Sequence, residues 1–328
     1  MREFDDFDEK YPELIVDLLE HFMVNEGKEE TVASFCHHSK YAQIGKPSIS
    51  PQVIVKICDI LCQQNILSVN RRAGVLGLDN SYLYKCIDKD EWKRVRHMRM
   101  HYYNSLVYGF TYVYKFYQNK VIPIVSYKAN GEPMMGTAFK FHQGLLTARH
   151  CLTDGTQIAI KGYSAEMLNK TIVLTSQNPY LDIAYIHTGE DAQVFRDTPN
   201  VLDDILVMGF PKIPSFLNFC TAEKGCISAM ADLRMTPTRG SIAALADEIW
   251  TQNKTKLMLI TAKICGGNSG GPIINKGGCV VGLAFGAPIG EGDTYDNLRY
   301  GVGVPLNVLD NILTEQHALK VQFTDLLE

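Results

Sequence analysis

The sequence contains no long apolar segment. Its longest apolar stretches, such as Cys279–Ala287, are about nine residues long and are interrupted by glycine, whereas a transmembrane helix needs about 20 apolar residues. The chain begins with an acidic stretch, so we expect no signal peptide. We therefore expect no membrane-spanning segment, and a cytoplasmic location.

There is also no strong excess of one charge. The 328 residues carry a net charge of −4, with 46% hydrophobic and 21% charged residues, which is ordinary for globular proteins. Internal repeats and low-complexity tracts are absent from the sequence. This balance gives the whole chain no preference for a polyanion, and the length predicts two domains.

The nine cysteines include no Cys-x-x-Cys pair, a spacing typical of structural zinc sites. Residue types that bind metals do occur at Cys36, His37, His38, Cys58 and Cys62. Because Cys58 and Cys62 lie one helical turn apart on a face that we expect to be buried, we prefer core cysteines to zinc. We expect neither a metal nor a cofactor. The odd number of cysteines favours a reducing compartment.

The most informative segment is Gly-Gly-Asn-Ser-Gly-Gly-Pro at residues 266–272. A serine that attacks a carbonyl group needs an exposed hydroxyl and backbone N–H groups that point at the developing oxyanion. The glycines around Ser269 allow both, because they let the backbone turn and the substrate approach. A tight turn is the alternative interpretation for Gly-Gly alone, but the full heptad favours a nucleophile.

A serine hydroxyl is a weak nucleophile, so a histidine base and an orienting carboxylate are required. Leu145–Cys151 predicts a short apolar strand that leads to His150, and Tyr180–Ile186 places Asp182 at the start of another. A lone histidine is more often structural, but here the chain order is His, Asp, Ser. The reserve candidates for the carboxylate are Asp191, Asp203 and Asp204.

These segments resemble the trypsin-like serine peptidases of the chymotrypsin fold, and most of all their HtrA-type branch. The matching motifs are Thr-Ala-x-His-Cys at 147–151, Asp-Ile-Ala at 182–184 and Gly-Asn-Ser-Gly-Gly-Pro at 267–272. Softer matches lie at 209–211, 282–286 and 300–305. The resemblance covers about residues 119–316 and says nothing about residues 1–118.

The resemblance implies a role for each motif residue. His150 would act as general base and then acid, Asp182 would hold its imidazole in the correct tautomer, and Ser269 would attack the substrate. The N–H groups of Gly267 and Ser269 would form the oxyanion hole. The substrate would be a protein or a peptide.

Two positions depart from the secreted digestive members of this family. Those enzymes have an aspartate before the nucleophile, which captures the new N-terminus made by zymogen cleavage, whereas this chain has Asn268. An asparagine cannot form that ion pair. In the same enzymes the cysteine after the histidine is disulfide-bonded, but Cys151 has no obvious partner. We therefore expect control by residues 1–118 rather than by zymogen cleavage.

The family register also indicates a substrate pocket. Lys263 would lie at the base of the S1 pocket, with Gly286 and Gly301 near its walls. A lysine in that place would favour an acidic P1 side chain. The alternative is a Lys263 that points outward into solvent.

The sequence of the peptidase region, 119–316, predicts two sets of six short strands. The first set is 121–127, 136–141, 144–152, 157–162, 171–176 and 182–187. The second set is 205–209, 219–231, 256–264, 272–275, 278–285 and 299–304. Two all-β, six-stranded Greek-key barrels would account for both. We expect an insertion with a short helix at 232–250, a closing helix at 307–314 and a C-terminal tail at 317–328.

Residues 1–89 differ in kind and predict a helical module. Helices are expected at 12–24, 31–38 and from Pro51, with Ser50 as the N-cap, and a strand pair at 66–69 and 82–86. This arrangement resembles a winged helix, and a generic small helical domain is the alternative. The whole chain is then a multidomain α+β protein.

Charge is unevenly distributed in this module. Residues 1–30 hold eleven acidic and three basic side chains, whereas residues 40–101 hold eleven basic and five acidic ones. A basic winged helix with Arg71 and Arg72 near the wing could bind nucleic acid. The alternatives are that the two regions pair with each other or dock a partner. We prefer a protein partner to nucleic acid.

A long connecting helix is expected at 90–118, either to transmit a signal or as a passive spacer. The sequence therefore predicts a serine endopeptidase that cleaves a specific protein, is controlled through its N-terminal module, and acts as a signalling or defence effector. One alternative is a nucleic-acid-binding regulator whose peptidase domain cleaves itself or a partner. The other is a pseudoprotease that only binds peptides.

Overall fold

The computed structural model describes residues 7–23, 29–38, 40–42, 49–85, 89–178, 181–211, 234–247, 256–286, 300–315 and 317–325. Contacts between Cα atoms divide the chain into two compact units, Met1–Tyr112 and Val113–Glu328. The long helix that the sequence predicts lies at Lys89–Tyr117 but is kinked at Gly109, whose φ of 60° is not helical. Among the described helices, none combines the length and the apolar character needed to cross a bilayer.

The described residues of the first unit form helices and one strand pair. Its elements are α1 (Leu14–His21), α2 (Val32–His38), α3 (Pro51–Gln63), β1 (Leu67–Arg71), β2 (Ser81–Tyr84) and the first part of α4 (Lys89–Tyr117). Ser50 precedes α3, and Pro51 occupies the first turn, where its missing N–H would have no helical partner in any case. The buried residues of α3 form the apolar stripe expected from its periodicity: Ile54, Ile57, Cys58 and Leu61.

The strand pair follows α3 directly. β1 and β2 are antiparallel, with Leu67 opposite Tyr84. Thr31, immediately before α2, forms an isolated antiparallel bridge with Ser81. The segment between α1 and α2 therefore pairs with the same strand as β1 does.

Acidic side chains in and beside α1 pair with basic side chains of the same unit. Lys40 Nζ lies 2.6 Å from a carboxylate oxygen of Glu13 and 2.9 Å from one of Asp17. The guanidinium of Arg96 on α4 reaches Glu13, Asp17 and Glu20 at 3.3, 2.6 and 2.8 Å. Part of the charge separation along the sequence is therefore neutralised inside the unit, which is one of the alternatives expected above.

The second unit is rich in β-structure and contains two six-stranded sheets. The first has the order β14-β6-β7-β4-β3-β5. Its strands are β3 (Val121–Tyr127), β4 (Pro133–Thr147), β5 (Thr156–Ile160), β6 (Ile172–Thr175), β7 (Ala184–Ala192) and β14 (His317–Ala318). Two short helices, α5 (His150–Thr153) and α6 (Ala165–Leu168), connect strands of this sheet.

The described strands of this sheet do not close into the barrel that the sequence predicts, and the sheet differs from the prediction in two further places. The strands expected at 136–141 and 144–152 form a single strand, β4, which bends at His142 with a φ of 49°. The sixth strand comes from the segment expected to be a tail, because His317 pairs with Thr175 and Ala318 with Leu174. The C-terminal segment thus completes the sheet through backbone hydrogen bonds.

The second sheet is a closed barrel with the order β10-β13-β12-β11-β8-β9. Its strands are β8 (Asp204–Gly209), β9 (Thr236–Asp247), β10 (Lys256–Ile260), β11 (Pro272–Asn275), β12 (Val280–Gly286) and β13 (Gly301–Pro305). The expected closing helix is present as α7 (Leu309–Glu315). Residues that fill the barrel include Ile205, Val207, Ile242, Met258, Ile273 and Val281.

We expected an insertion with a short helix at 232–250. This prediction is wrong for the described part of that range. Residues 236–247 form β9, whose first half pairs with β8 and whose second half pairs with β10. The run Ile242-Ala243-Ala244-Leu245 favours a helix locally, but pairing with two neighbouring strands overrides local preference. The strand predicted at 219–231 lies outside the described residues.

Candidate active site

His150 is positioned by the end of β4. The strand ends at Thr147, and His150 is the first residue of α5. The turn between them is closed by the N–H of Cys151, which donates to the carbonyl of Ala148 at 3.1 Å. The side chain of His150 keeps 36% of its surface exposed, so the imidazole is held at one side and open at the other.

Asp182 holds His150 through both carboxylate oxygens. Oδ1 accepts the backbone N–H of His150 at 2.8 Å, and Oδ2 accepts a hydrogen bond from Nδ1 of the ring. Asp182 is buried just before β7, and the hydroxyl of Thr175 donates to the next carbonyl, that of Ile183, at 2.9 Å. His150 therefore pairs with Asp182 rather than with the reserve carboxylates, and its other ring nitrogen, Nε2, is left to face a reactant.

The environment of His150 shifts its proton affinity. Burial lowers the pKa of His150, but hydrogen bonds with the side chains of Asp182 and Cys151, together with their charge, outweigh burial and hold the pKa well above its ordinary value of 6.5. The protonated ring is thus stabilised by the carboxylate beside it. This is the arrangement needed to stabilise an imidazolium that forms during a reaction.

Ser269 lies in the loop between β10 and β11, and its hydroxyl donates to the carbonyl of Phe285 at 3.0 Å. The ring of Phe285 also approaches His150 edge-on, with 6.4 Å between ring centroids. Phe285 thus contacts both Ser269 and His150. Sequence reasoning marked the segment 282–286 but not this role, because any residue can offer a backbone carbonyl.

The backbone N–H groups of Gly267 and Ser269 in the same loop have no acceptor among the described residues. Other N–H groups nearby are paired, since Asn268 donates to Cys265 at 3.0 Å and Gly270 to Ala284 at 2.7 Å. Gly267 has a φ of 103°, a left-handed conformation that favours glycine. The loop therefore presents unpaired N–H groups at both positions expected for an oxyanion hole.

Asn268 is buried between these two residues. Its Oδ1 has no hydrogen-bond partner in the described part of the chain. It lies beside Gly209, where an added Cβ would be 2.9 Å from that oxygen. A charged carboxylate in this place would need a buried counter-charge, so the neutral amide suits the site better.

The residues expected to form the substrate pocket differ in their surroundings. Lys263 is exposed, and its carbonyl accepts the hydroxyl of Thr238 at 3.1 Å. At Gly286 no described atom lies within 4 Å of where a Cβ would be, whereas at Gly301 a Cβ would lie 2.7 Å from the side chain of Ile264. The exposed Lys263 fits the outward, solvated alternative.

The described cysteines form no disulfides. They are Cys36, Cys58, Cys62, Cys151, Cys265 and Cys279. The described residues also contain no group of three or more His, Cys, Asp or Glu side chains arranged to hold a metal ion. Cys151 is buried, and its thiol lies 3.5 Å from the carbonyl oxygen of Ser269, so it packs directly under the serine loop.

Comparisons with known proteins address the same part of the chain. Residues 136–283, which contain His150, Asp182 and Ser269, match the family described as the trypsin-like peptidase domain. A comparison with curated protein sequences finds no significant match.

Several solved structures are similar to the chain. One is the Rv3671c protease from M. tuberculosis in its active form, with 21% identity, a TM-score of 0.46, and coverage of 65% of this chain and 87% of that one. A second is the HtrA-type protease AlgW with a tripeptide, with 18% identity, a TM-score of 0.45, and coverage of 62% of each chain. A third is the serine endoprotease from Yersinia pestis, with 19% identity, a TM-score of 0.42, and coverage of 62% and 65%.

Proposed function

We propose that His150, Asp182 and Ser269 are the catalytic triad of a serine endopeptidase. The proposal is supported by the match of residues 136–283, which contain all three side chains, to the trypsin-like peptidase domain family. The observation that carries this proposal is the double hydrogen bond by which Asp182 holds both the backbone and Nδ1 of His150. These two hydrogen bonds fix the ring in one orientation and place the proton on Nδ1, so that Nε2 is free to act as a base.

The reaction proceeds through an acyl-enzyme. Ser269 Oγ turns from the carbonyl of Phe285 toward Nε2 of His150, transfers its proton there, and attacks the scissile carbonyl carbon. The carbonyl electron pair moves to oxygen, and the N–H groups of Gly267 and Ser269 stabilise the resulting oxyanion. His150 then donates the proton to the leaving amine as the C–N bond breaks, and a water molecule, activated by the same ring, hydrolyses the ester.

Hydrolysis of a peptide library tests this assignment. We expect the wild type to cleave peptides, and Ser269→Ala to lose about 10⁴-fold or more in kcat, because only binding and the oxyanion hole then remain. Ser68→Ala, which alters an exposed serine of the first unit, is the matched control and should keep wild-type activity. Equal cleavage by the wild type and Ser269→Ala would contradict the assignment, and no cleavage by either would favour a domain that only binds peptides.

We further propose that the first unit is a winged-helix-like module that controls the peptidase by docking a protein partner. Three helices followed by the β1–β2 pair, with the Thr31–Ser81 bridge between α1 and α2, support this interpretation. Between the two strands, Val75 and Leu76 are 82% and 63% exposed. Exposed apolar side chains suit a protein surface better than a phosphate backbone.

Nucleic acid is the second candidate partner, since Arg71 and Arg72 lie where β1 leads into the same turn and are largely exposed. Titration of duplex DNA at low salt distinguishes the two. Partner docking predicts no salt-sensitive binding, whereas a nucleic-acid module would bind with an affinity that falls steeply with salt and weakens in an Arg71→Gln, Arg72→Gln double variant.

Control by the module rather than by a cleaved N-terminus is supported by Asn268, whose neutral and buried amide offers no charge for an ammonium group. A cytoplasmic location is supported by the described cysteines, all of which are free. The substrate that we propose is a specific protein. Its cleavage would be switched by the partner, as expected for a signalling or defence effector.

A further inference from the structure

Thr137 is fully buried in β4 and makes four hydrogen bonds, two of them to the serine loop. Its hydroxyl donates to the carbonyl of Gly267 at 2.7 Å and accepts the N–H of Phe210 at 3.0 Å. Its backbone N–H donates to the carbonyl of Ser269 at 2.9 Å, and its own carbonyl accepts the hydroxyl of Thr147 at 2.7 Å. One residue of the first sheet thus binds the two residues whose N–H groups would form the oxyanion hole.

These bonds restrict the backbone at Gly267, which is the most flexible residue of the proposed oxyanion hole. Gly267 has no side chain and a left-handed φ of 103°, so without an external contact its peptide planes rotate with little steric resistance. The hydroxyl of Thr137 fixes the carbonyl side of Gly267, and its N–H fixes the carbonyl side of Ser269. Between them, the carbonyl of Asn268 accepts the N–H of Gly271 at 2.9 Å. All three carbonyls from 267 to 269 are therefore held.

We propose that Thr137 is a positioning residue of the oxyanion hole, which holds the peptide planes that follow Gly267 and Ser269 and thereby fixes the backbone on both sides of the Ser269 N–H. It acts through Gly267 and Ser269 and does not touch the substrate. The inference rests on the proposed triad and oxyanion hole. Sequence reasoning passed over Thr137, because a threonine in a buried strand is common and its side-chain partner lies 130 residues away in sequence.

The chain offers matched variants for a test. Thr137→Val keeps the shape of the side chain but removes the hydroxyl, and Thr137→Ser keeps the hydroxyl. Thr147→Val removes a hydroxyl that is equally buried, in the same strand, and bonded to Thr137 itself, but with no bond to 267–269. The two valine variants remove the same chemical group, so a difference between them reports the position of the loop rather than the loss of one buried bond.

The measurement is kcat and KM on a cleavable peptide, together with the inhibition constant of a peptide aldehyde, which forms an oxyanion on Ser269. Loss of a whole oxyanion donor lowers kcat by about 10²–10³-fold, so a misplaced donor in Thr137→Val should lower kcat by about 10- to 100-fold. KM should change by less than about threefold, and aldehyde binding should weaken in parallel with kcat. Thr137→Ser and Thr147→Val should stay within about threefold of the wild type in kcat.

Equal losses of kcat in Thr137→Val and Thr147→Val, or a loss expressed in KM alone, would overturn the inference. Should Thr137→Val fail to fold, Thr137→Cys replaces it, because a thiol is a weak donor of similar size and should give an intermediate loss of kcat. A wild type without Ser269-dependent cleavage would defeat the proposed triad and this inference together. An active wild type with unaffected Thr137 variants would defeat this inference alone.

Discussion

Replacement of Asp182 by asparagine exchanges one carboxylate oxygen for an amide nitrogen and removes the charge beside His150. In the wild type, one oxygen accepts the backbone N–H of His150 at 2.8 Å and the other accepts Nδ1. Asparagine has a single acceptor oxygen. If that oxygen keeps the backbone N–H, the amide NH₂ faces Nδ1, which must then accept, and the ring proton moves to Nε2.

The size of the effect follows from that change of tautomer. A proton on Nε2 blocks the atom that must receive the proton of Ser269, and the wrong tautomer lowers kcat about 10⁴-fold in a triad of this kind. This corresponds to about 5.5 kcal/mol of transition-state stabilisation. Since burial lowers the pKa of His150 and Asp182 opposes it, the same substitution should also lower that pKa.

The pH dependence has opposite signs for stability and activity. Because the pKa of His150 is raised above 6.5 in the folded protein, the pair with Asp182 contributes stability that is fully present below the unfolded pKa and is lost as pH rises through the raised one. Activity should rise over that same alkaline range, because the base must first lose its proton. The acidic limb of the wild-type profile should therefore have its midpoint above pH 6.5.

The assay is kcat/KM against pH for the wild type, Asp182→Asn, and the control Asp191→Asn, which changes an exposed reserve carboxylate. We expect Asp191→Asn to match the wild type. Asp182→Asn should fall about 10⁴-fold on the alkaline plateau, where His150 is deprotonated in both proteins, and its acidic limb should move to lower pH. Retention of more than about a tenth of the activity in Asp182→Asn, or an equal fall in Asp191→Asn, would refute the reasoning.

Two further predictions concern stability, measured by denaturant midpoints. Gly270→Ala should lower the free energy of unfolding by about 2–5 kcal/mol, because the φ of Gly270 is +87° and the new Cβ would lie 2.0 Å from the carbonyl oxygen of Thr137. Gly131 has a similar φ of +82° but no described atom within 4 Å of a new Cβ, so Gly131→Ala should lower the free energy of unfolding by only about 1–2 kcal/mol. Arg96→Met should cost about 1–2 kcal/mol, less at high salt, because three acidic side chains lose their shared cation. Arg94→Met, at an exposed position on the same helix, should change stability by less than about 0.5 kcal/mol. Equal effects within either pair would contradict these contacts.

The contact between His150 and Asp182 is predictable from sequence because chemistry restricts the residue types in each motif. The partners of Ser269 are not predictable in the same way. The carbonyl of Phe285, which accepts its hydroxyl, and the Thr137 N–H, which binds its carbonyl, both belong to the backbone. Every residue has a carbonyl and nearly every residue has an N–H, so only the three-dimensional arrangement selects the ones that are used.

The fold likewise contains some elements that are predictable from sequence and others that are not. The periodicity of α3 predicts its buried face because the pattern and the burial are both local. β9 is not predictable locally, since its alanine-rich second half favours a helix and becomes a strand only by pairing with β10. β14 has two residues, too few for any alternation, and exists only because β6 lies beside it.

Covalent labelling with a fluorophosphonate, followed by mass mapping of the adduct, tests the central claim most directly, because the reagent requires an activated serine rather than any particular substrate. We expect one adduct on the peptide that contains Ser269, no adduct in Ser269→Ala, and much slower labelling in His150→Gln, which lacks the base. An adduct elsewhere, or labelling at Ser269 that proceeds at the same rate without His150, would contradict a triad built from these residues.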